Sequence, residues 1–145
     1  MRDLEEISDI MPPKEYIQIW EEVSLDVQKR KAKNHRLSET MAKKCFEELS
    51  RRPYYLCKIA QSFGVKNIAE VGTAQGLQFF SFAEYAKSVD GHVWSCDIQD
   101  VRNKEYCEKN TKYTTFVNGD SESLAKEILK SQMKIDMFYI DGAHD

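Results

Sequence analysis

The chain has 145 residues, with 21 Lys and Arg against 24 Asp and Glu, and a formal net charge of −3. No apolar run approaches the ~20 residues that a bilayer span needs, and aromatic residues are too frequent for a disordered chain. The first ten residues carry four acids and lack the apolar segment of a secretory signal. The four cysteines form no C-x-x-C pair. We therefore expect a folded cytoplasmic protein without membrane contact.

Residues 1–64 are predicted to form a helical N-terminal extension. One helix is predicted after Pro13, because apolar residues recur there every three or four positions: Tyr16, Ile19, Trp20, Val23 and Val27. A second helix is predicted after Ser38, which is a good N-cap residue. A third is predicted from Pro53 to the stop at Gly64. Its apolar stripe would consist of Tyr55, Leu56, Ile59, Ala60 and Phe63.

Residues 65–145 change to a pattern of alternating strands and helices. Short runs rich in β-branched and aromatic residues begin near positions 67, 92, 113 and 134. Helical stretches lie between them, at Gln75–Lys87, near Arg102–Asn110 and at Ser121–Ser131. This order predicts an α/β fold with a parallel sheet, right-handed crossovers and helices on its faces.

The first strand ends in an E-x-G-x-x-x-G pattern formed by Glu70, Gly72, Thr73 and Gly76. Ligands of open α/β sheets bind at the carboxyl ends of the strands, and glycines let the backbone approach a ligand closely. Ala74 replaces the second glycine of the dinucleotide fingerprint. Glu70 would repel a pyrophosphate and attract a cationic ligand such as a sulfonium or an α-amine. A purely structural strand-to-helix turn is the alternative.

Two further strand ends carry polar residues. Asp97 ends the second strand, where an acid suits hydrogen bonding to two ribose hydroxyls, although it could also be a solvated loop acid. Asp120 and Ser121 follow the third strand. They either cap the next helix or contact an adenine edge.

The fourth strand ends in Asp141 and is followed by His144. A carboxylate at the rim of the sheet is a hard oxygen ligand suited to Mg²⁺ or Ca²⁺. An imidazole three residues later is a candidate general base, because its ordinary pKa lies near 6.5. An exposed loop histidine without a role is the alternative.

Together, EVGTAQGLQFFSFA, CD at 96–97, VNGDSE and IDMFYIDGAHD resemble the class I, Rossmann-like S-adenosylmethionine-dependent methyltransferases. The resemblance covers residues 67–145 and is closest to O-methyltransferases of the catechol, caffeoyl-CoA and macrocin types. It implies that Glu70, Gly72 and Gly76 cradle the methionine part of S-adenosylmethionine and that Asp97 binds its ribose. Asp120 and Ser121 would lie on the adenine side.

The same resemblance implies that Asp141 is the first metal ligand of the metal-dependent members, with Mg²⁺ as an optional second cofactor. His144 stands where those members often carry a lysine that deprotonates the acceptor hydroxyl. The family's sheet continues with three more strands and further metal ligands beyond the position of Asp145. We therefore expect residues 65–145 to be the cofactor-binding half of a longer domain, with the fourth strand at an open edge.

The predicted function is methyl transfer from S-adenosylmethionine to a hydroxyl of a small molecule or sugar. The stretch 29–58 holds ten cations and three acids, so the acceptor could be anionic. Nucleic acid is not expected, because the whole chain is acidic. The N-terminal helices would cover the acceptor site or form a homodimer. The alternatives are a non-catalytic fragment or degenerate copy with a binding or assembly role, and a nicotinamide-dependent oxidoreductase.

Overall fold

The computed structural model describes residues 12–23 and 51–142. Residues 14–23 are helical and are labelled α1. The remaining elements, in chain order, are α2 (Arg51–Ser62), β1 (Asn67–Val71), α3 (Leu77–Val89), β2 (His92–Asp97), α4 (Lys104–Lys109), β3 (Thr114–Asn118), α5 (Ser121–Ser131) and β4 (Met137–Ile140). The predicted helix after Ser38 lies outside the described residues.

The four strands form one sheet in the order β3-β2-β1-β4, and every neighbouring pair is parallel. The α/β fold with a parallel, Rossmann-like sheet is thereby confirmed. The chain runs from β1 outward to β3 and then returns to place β4 on the other side of β1. Because ligands bind where the strand order reverses, the crevice between β1 and β4 is the expected site.

The core lies mainly on one face of the sheet, where the N-terminal helices pack. Ile19 and Val23 of α1 and Cys57 of α2 share one buried cluster with Ile68 of β1. The aromatic residues of α3 fill the same cluster: Phe79, Phe80, Phe82 and Tyr85. On the other face, α5 packs through Leu124 against a smaller cluster. The helices that precede the sheet therefore belong to its main core.

Some predicted boundaries shift for identifiable reasons. Helix α3 begins at Leu77 instead of Gln75, because Gly76 adopts a left-handed conformation with φ 97° at its N-cap. Strand β4 begins at Met137 instead of near position 134. The carboxylate of Asp136, just before it, accepts two backbone N–H groups at the start of β1. The predicted stripe of α2 is confirmed for Ala60, which is buried, and for Leu56, which packs against the main core. It is wrong for Phe63, which follows the helix and is 71% exposed.

Strand β4 lies at one edge of the described sheet. Phe138 and Ile140 point to the sheet face opposite the main core, and they are 66% and 68% exposed. Within residues 12–23 and 51–142, no helix is long and apolar enough to cross a membrane.

Candidate functional site

The loop between β1 and α3, residues 72–76, is a tight turn at the carboxyl end of β1. Gly72 and Gly76 both have φ 97°, and Ala74 between them has φ 46°. A Cβ on Gly72 would collide with the carbonyl of Asp141, and one on Gly76 would collide with the ring of Phe80. The chain itself therefore requires both glycines, through their left-handed conformation and their close neighbours. This supports the structural-turn alternative for the glycines.

Asp97 ties this loop, here called the glycine loop, to β2. Its Oδ2 accepts the backbone N–H of Ala74 at 2.8 Å, and its Oδ1 accepts that of Gln99 at 3.2 Å. The first bond holds Ala74 in its left-handed conformation, which a residue with a Cβ rarely adopts. Asp97 therefore lies beside the glycine loop as the resemblance requires, and its contact with ribose stays a prediction.

Glu70 lies directly under the glycine loop and is fully buried. Its Oε2 accepts a hydrogen bond from the Ser95 hydroxyl at 2.6 Å, and Ser95 in turn meets the hydroxyl of Thr73. The other carboxyl oxygen, Oε1, has no hydrogen-bond partner. Burial raises the pKa of Glu70 to about 8, so most of this carboxyl is neutral at pH 7.

Charged neighbours also act on the Glu70 pKa. The hydrogen bond from Ser95 lowers that pKa, whereas the nearby carboxylates of Asp141 and Asp97 raise it. Asp97 and Asp141 thus lie close enough to act on Glu70, and their negative charge would attract a cationic ligand placed beside the glycine loop. The prediction that Glu70 itself favours a cation over a pyrophosphate stays a prediction.

The side chain of Asp120 caps helix α5. Its Oδ1 accepts the backbone N–H and the hydroxyl of Ser123, both at 2.9 Å. These bonds hold the pKa of Asp120 below its usual range. The capping alternative is thereby confirmed for Asp120, while Ser121 is the first residue of the helix. Contact of either residue with adenine stays a prediction.

Asp141 follows β4 beside the end of β1, where its N–H donates to the carbonyl of Val71, and its carboxylate is already engaged. Its Oδ2 accepts hydrogen bonds from the Arg52 guanidinium at 3.0 Å and from the Tyr139 hydroxyl at 3.2 Å. No group of three His, Cys, Asp or Glu able to hold a metal ion exists in the part of the chain that the structure describes. The described residues alone do not complete a metal site, and the role of Asp141 as a metal ligand stays a prediction. His144 lies outside those residues.

The loop that follows β2 lies next to the glycine loop. The Arg102 guanidinium lies 3.7 Å from the centre of the Phe116 ring and binds Asp100 through two nitrogens. This loop also reaches the glycine loop, because the N–H of Asn103 donates to the carbonyl of Gln75 at 3.2 Å. A backbone hydrogen bond thus joins the two loops, and Ile98, the residue after Asp97, is 74% exposed.

Three residues of the site were missed in the sequence: Arg52, Ser95 and Tyr139. Ser95 could have been found, because it is a polar residue inside the apolar strand β2 and pairs in register with Glu70. Tyr139 is likewise paired with Glu70 across β1 and β4. Arg52 gave no signal, since it is one cation of a basic stretch and 89 residues from its partner.

Comparisons with known proteins agree with this geometry. Residues 69–145 match the family described as a methyltransferase domain. That match spans a little over half of the 145 residues, and the chain belongs to this family. The match favours a methyltransferase over the nicotinamide-dependent alternative. No curated protein matches the chain.

Two similar solved structures establish the fold. One is the methyltransferase PaMTH1 of Podospora anserina bound to SAH, with TM-score 0.59 and 15% identity over 90% of this chain and 51% of that one. The other is the O-methyltransferase of Bacillus cereus in complex with SAH, with TM-score 0.61 and 22% identity over 95% of this chain and 59% of that one. This chain therefore spans about half the length of the first protein and about three-fifths the length of the second.

Proposed function

We propose that this chain binds S-adenosylmethionine at the carboxyl ends of β1 and β2 and takes part in methyl transfer to an oxygen acceptor. One observation carries the proposal: a fully buried carboxyl, Glu70, with an unpaired oxygen lies beneath the glycine loop of a methyltransferase-family domain. Such an unpaired buried oxygen destabilises the folded protein, and a cationic ligand bound next to it can offset that destabilisation. The two similar structures bound to SAH support the choice of cofactor.

The described residues fit this cofactor at both of its ends. Glu70 and the carboxylates near it suit the sulfonium and ammonium groups of the methionine part. Asp97, at the rim of β2, suits the ribose, and the exposed side chain of Ile98 offers an apolar surface to the adenine. The cofactor supplies an already activated methyl group, so the protein has mainly to align donor and acceptor and to remove a proton.

The acceptor is proposed to enter the crevice between β1 and β4, beside Asp141. Arg52 lies there with its side chain 55% exposed, and a guanidinium suits a carboxylate or phosphate on the acceptor. This arrangement supports an anionic small molecule or sugar phosphate with a free hydroxyl. His144 is the proposed general base for that hydroxyl, three residues after Asp141 in the sequence.

Calorimetric titration of the 145-residue chain with SAH tests the proposal, with NAD as the competing ligand. We expect SAH to bind and NAD not to bind. Asp97→Asn should weaken SAH binding at least tenfold, which is about 1.4 kcal/mol. Asp90→Asn is the matched control, because Asp90 is exposed and follows α3 in a left-handed conformation that Asn also tolerates. Binding of NAD in place of SAH would refute the proposal.

Activity needs its own measurement, because binding alone also fits the non-catalytic alternative. Methyl transfer from labelled cofactor to a panel of phosphorylated and carboxylated hydroxyl compounds separates the two roles. Turnover with an anionic acceptor supports the enzyme. Tight SAH binding without turnover on any acceptor favours a binding role for this chain.

A further inference from the structure

Ser95 is a fully buried polar residue inside β2. It lies opposite Glu70 in the register of β1 and β2, and its hydroxyl donates to the Glu70 carboxyl. A buried hydroxyl in an otherwise apolar strand is tolerated only with hydrogen-bond partners. Ser95 has two, because it also bonds with the Thr73 hydroxyl.

Thr73 begins the turn of the glycine loop and is itself buried. Its carbonyl accepts the N–H of Gly76 at 2.9 Å, and this bond closes the turn. The side chain of Thr73 therefore fixes one end of the loop to Ser95. Asp97, two residues after Ser95 on the same face of β2, fixes the adjacent residue Ala74.

The direction of the hydrogen bonds follows the charge of Glu70. An ionised Glu70 only accepts, so Ser95 donates to it and Thr73 must donate to Ser95. A neutral Glu70 with its proton on Oε2 donates to the Ser95 hydroxyl, which then donates to the Thr73 hydroxyl. Both hydrogen bonds are thereby reversed, and the Thr73 hydroxyl accepts. The Ser95 hydroxyl therefore connects the Thr73 hydroxyl to the protonated or ionised carboxyl of Glu70.

We propose that Ser95 is a positioning residue for the cofactor loop, which joins Thr73 to the Glu70 carboxyl and transmits the protonation state of that carboxyl to the loop. This inference rests on the proposed function, since the loop is taken to hold S-adenosylmethionine. Ser95 acts through Thr73 and Glu70 and does not touch the cofactor. It differs in this from Asp97, which lies at the rim.

Several groups around Glu70 bear on the pH dependence of this arrangement. Asp97 of β2 and Asp141 after β4 are its acidic neighbours, and the Tyr139 hydroxyl of β4 lies on the same face. Arg52 of α2 reaches Asp141 at the rim. Removing the Ser95 hydroxyl removes the hydrogen bond that lowers the pKa of Glu70. The titration of Glu70 should therefore move to higher pH in Ser95→Ala.

The test is calorimetric titration with SAH between pH 6 and 9 for the wild type, Ser95→Ala and Ser81→Ala. Ser81 is the matched control, because it is equally buried and its hydroxyl bonds only a carbonyl of its own helix, that of Leu77. We expect Ser95→Ala to weaken SAH binding at least tenfold and to move the midpoint of the pH profile upward by roughly half a unit or more. Ser81→Ala should bind within twofold of the wild type.

Variants of Thr73 keep the inference testable if Ser95→Ala does not fold. Thr73→Val should weaken SAH binding at least tenfold, and Thr73→Ser, which keeps the hydroxyl, should restore it to within threefold. If both single variants fold, the double variant Ser95→Ala/Thr73→Val should bind SAH no worse than either single variant. Both substitutions break the same series of hydrogen bonds, from Thr73 through Ser95 to Glu70.

The outcomes separate this inference from the proposed function. Absence of SAH binding by the folded wild type would overturn both. SAH binding that Ser95→Ala or Thr73→Val leaves unchanged would overturn the inference alone. Weakened binding with an unmoved pH midpoint would also overturn it, because the loss would then be merely structural.

Discussion

The buried carboxyl of Glu70 should make the stability of this protein fall as the pH rises. The folded protein holds the Glu70 proton up to about pH 8, whereas an unfolded chain releases it near the ordinary value of 4.5. Between these two values the folded state binds more protons than the unfolded state, so each rise in pH favours unfolding. The stabilisation that comes from the Glu70 proton is fully present below pH 4.5, decreases as the pH rises, and is lost above about pH 8.

The size of the effect follows from the shift. Each pKa unit corresponds to 1.36 kcal/mol, so a shift of about 3.5 units corresponds to roughly 5 kcal/mol of stability. This is a large share of the 5–15 kcal/mol that folded domains usually have. Solvent does not screen the charge of Glu70, because this side chain is fully buried.

Glu70→Gln removes the titration and keeps the size and shape of the side chain. Urea unfolding followed by tryptophan fluorescence gives the free energy of unfolding of both proteins from pH 5 to pH 9. We expect the wild type to lose roughly 4 kcal/mol relative to Glu70→Gln across this range, because part of the titration lies below pH 5. The lowered pKa of His92 has the opposite sign and cancels, because both proteins share that residue. Glu108→Gln, an exposed Glu in α4, is the control.

Parallel stability curves for the wild type and Glu70→Gln would refute this reasoning. They would mean that Glu70 ionises in the folded protein as it does in the unfolded one. A slope that Glu108→Gln also removes would show that the effect is a general property of the surface charge.

The remaining predictions concern the turn, the cap and the rim, and urea unfolding measures each. Gly72→Ala should lower the free energy of unfolding by at least about 2 kcal/mol, because the added Cβ meets the Asp141 carbonyl. Gly64→Ala, with open space around it, should lower it by about 1 kcal/mol, and equal losses would contradict the collision. Asp120→Ala should cost about 1 kcal/mol through the lost helix cap, and no loss would exclude capping as its role. Arg52→Met should cost less than about 1 kcal/mol, because both partners of its ion pair are half exposed; a larger loss would show that Arg52 supports the fold.

The sheet and its flanking helices could be predicted because their signals are local. The bounds of α5 agree with the structure at both ends, since Asp120 caps the helix and the apolar positions within it have helical spacing. The order β3-β2-β1-β4 is not a local property. It could be expected only from the alternation of strands and helices and from the resemblance to a known family.

The site was predicted in position and only partly in detail. Glu70, Asp97 and Asp141 end parallel strands, so the topology alone brings them to one edge of the sheet. Their hydrogen-bond partners could not be predicted in the same way, because these depend on side-chain directions across different elements. Arg52 from α2 meets Asp141 only after α2 has packed against α3.

The three carboxyl groups around the glycine loop explain why this site should prefer a cation. Asp97 and Asp141 raise the pKa of Glu70, so an added positive charge would lower it again and favour release of its proton. By linkage, the same coupling makes the affinity for a cationic ligand increase as the pH rises toward the Glu70 pKa. A neutral ligand of the same shape lacks this gain. The cofactor before methyl transfer carries a sulfonium and the product after it does not, so ionisation of Glu70 should help the site distinguish the two.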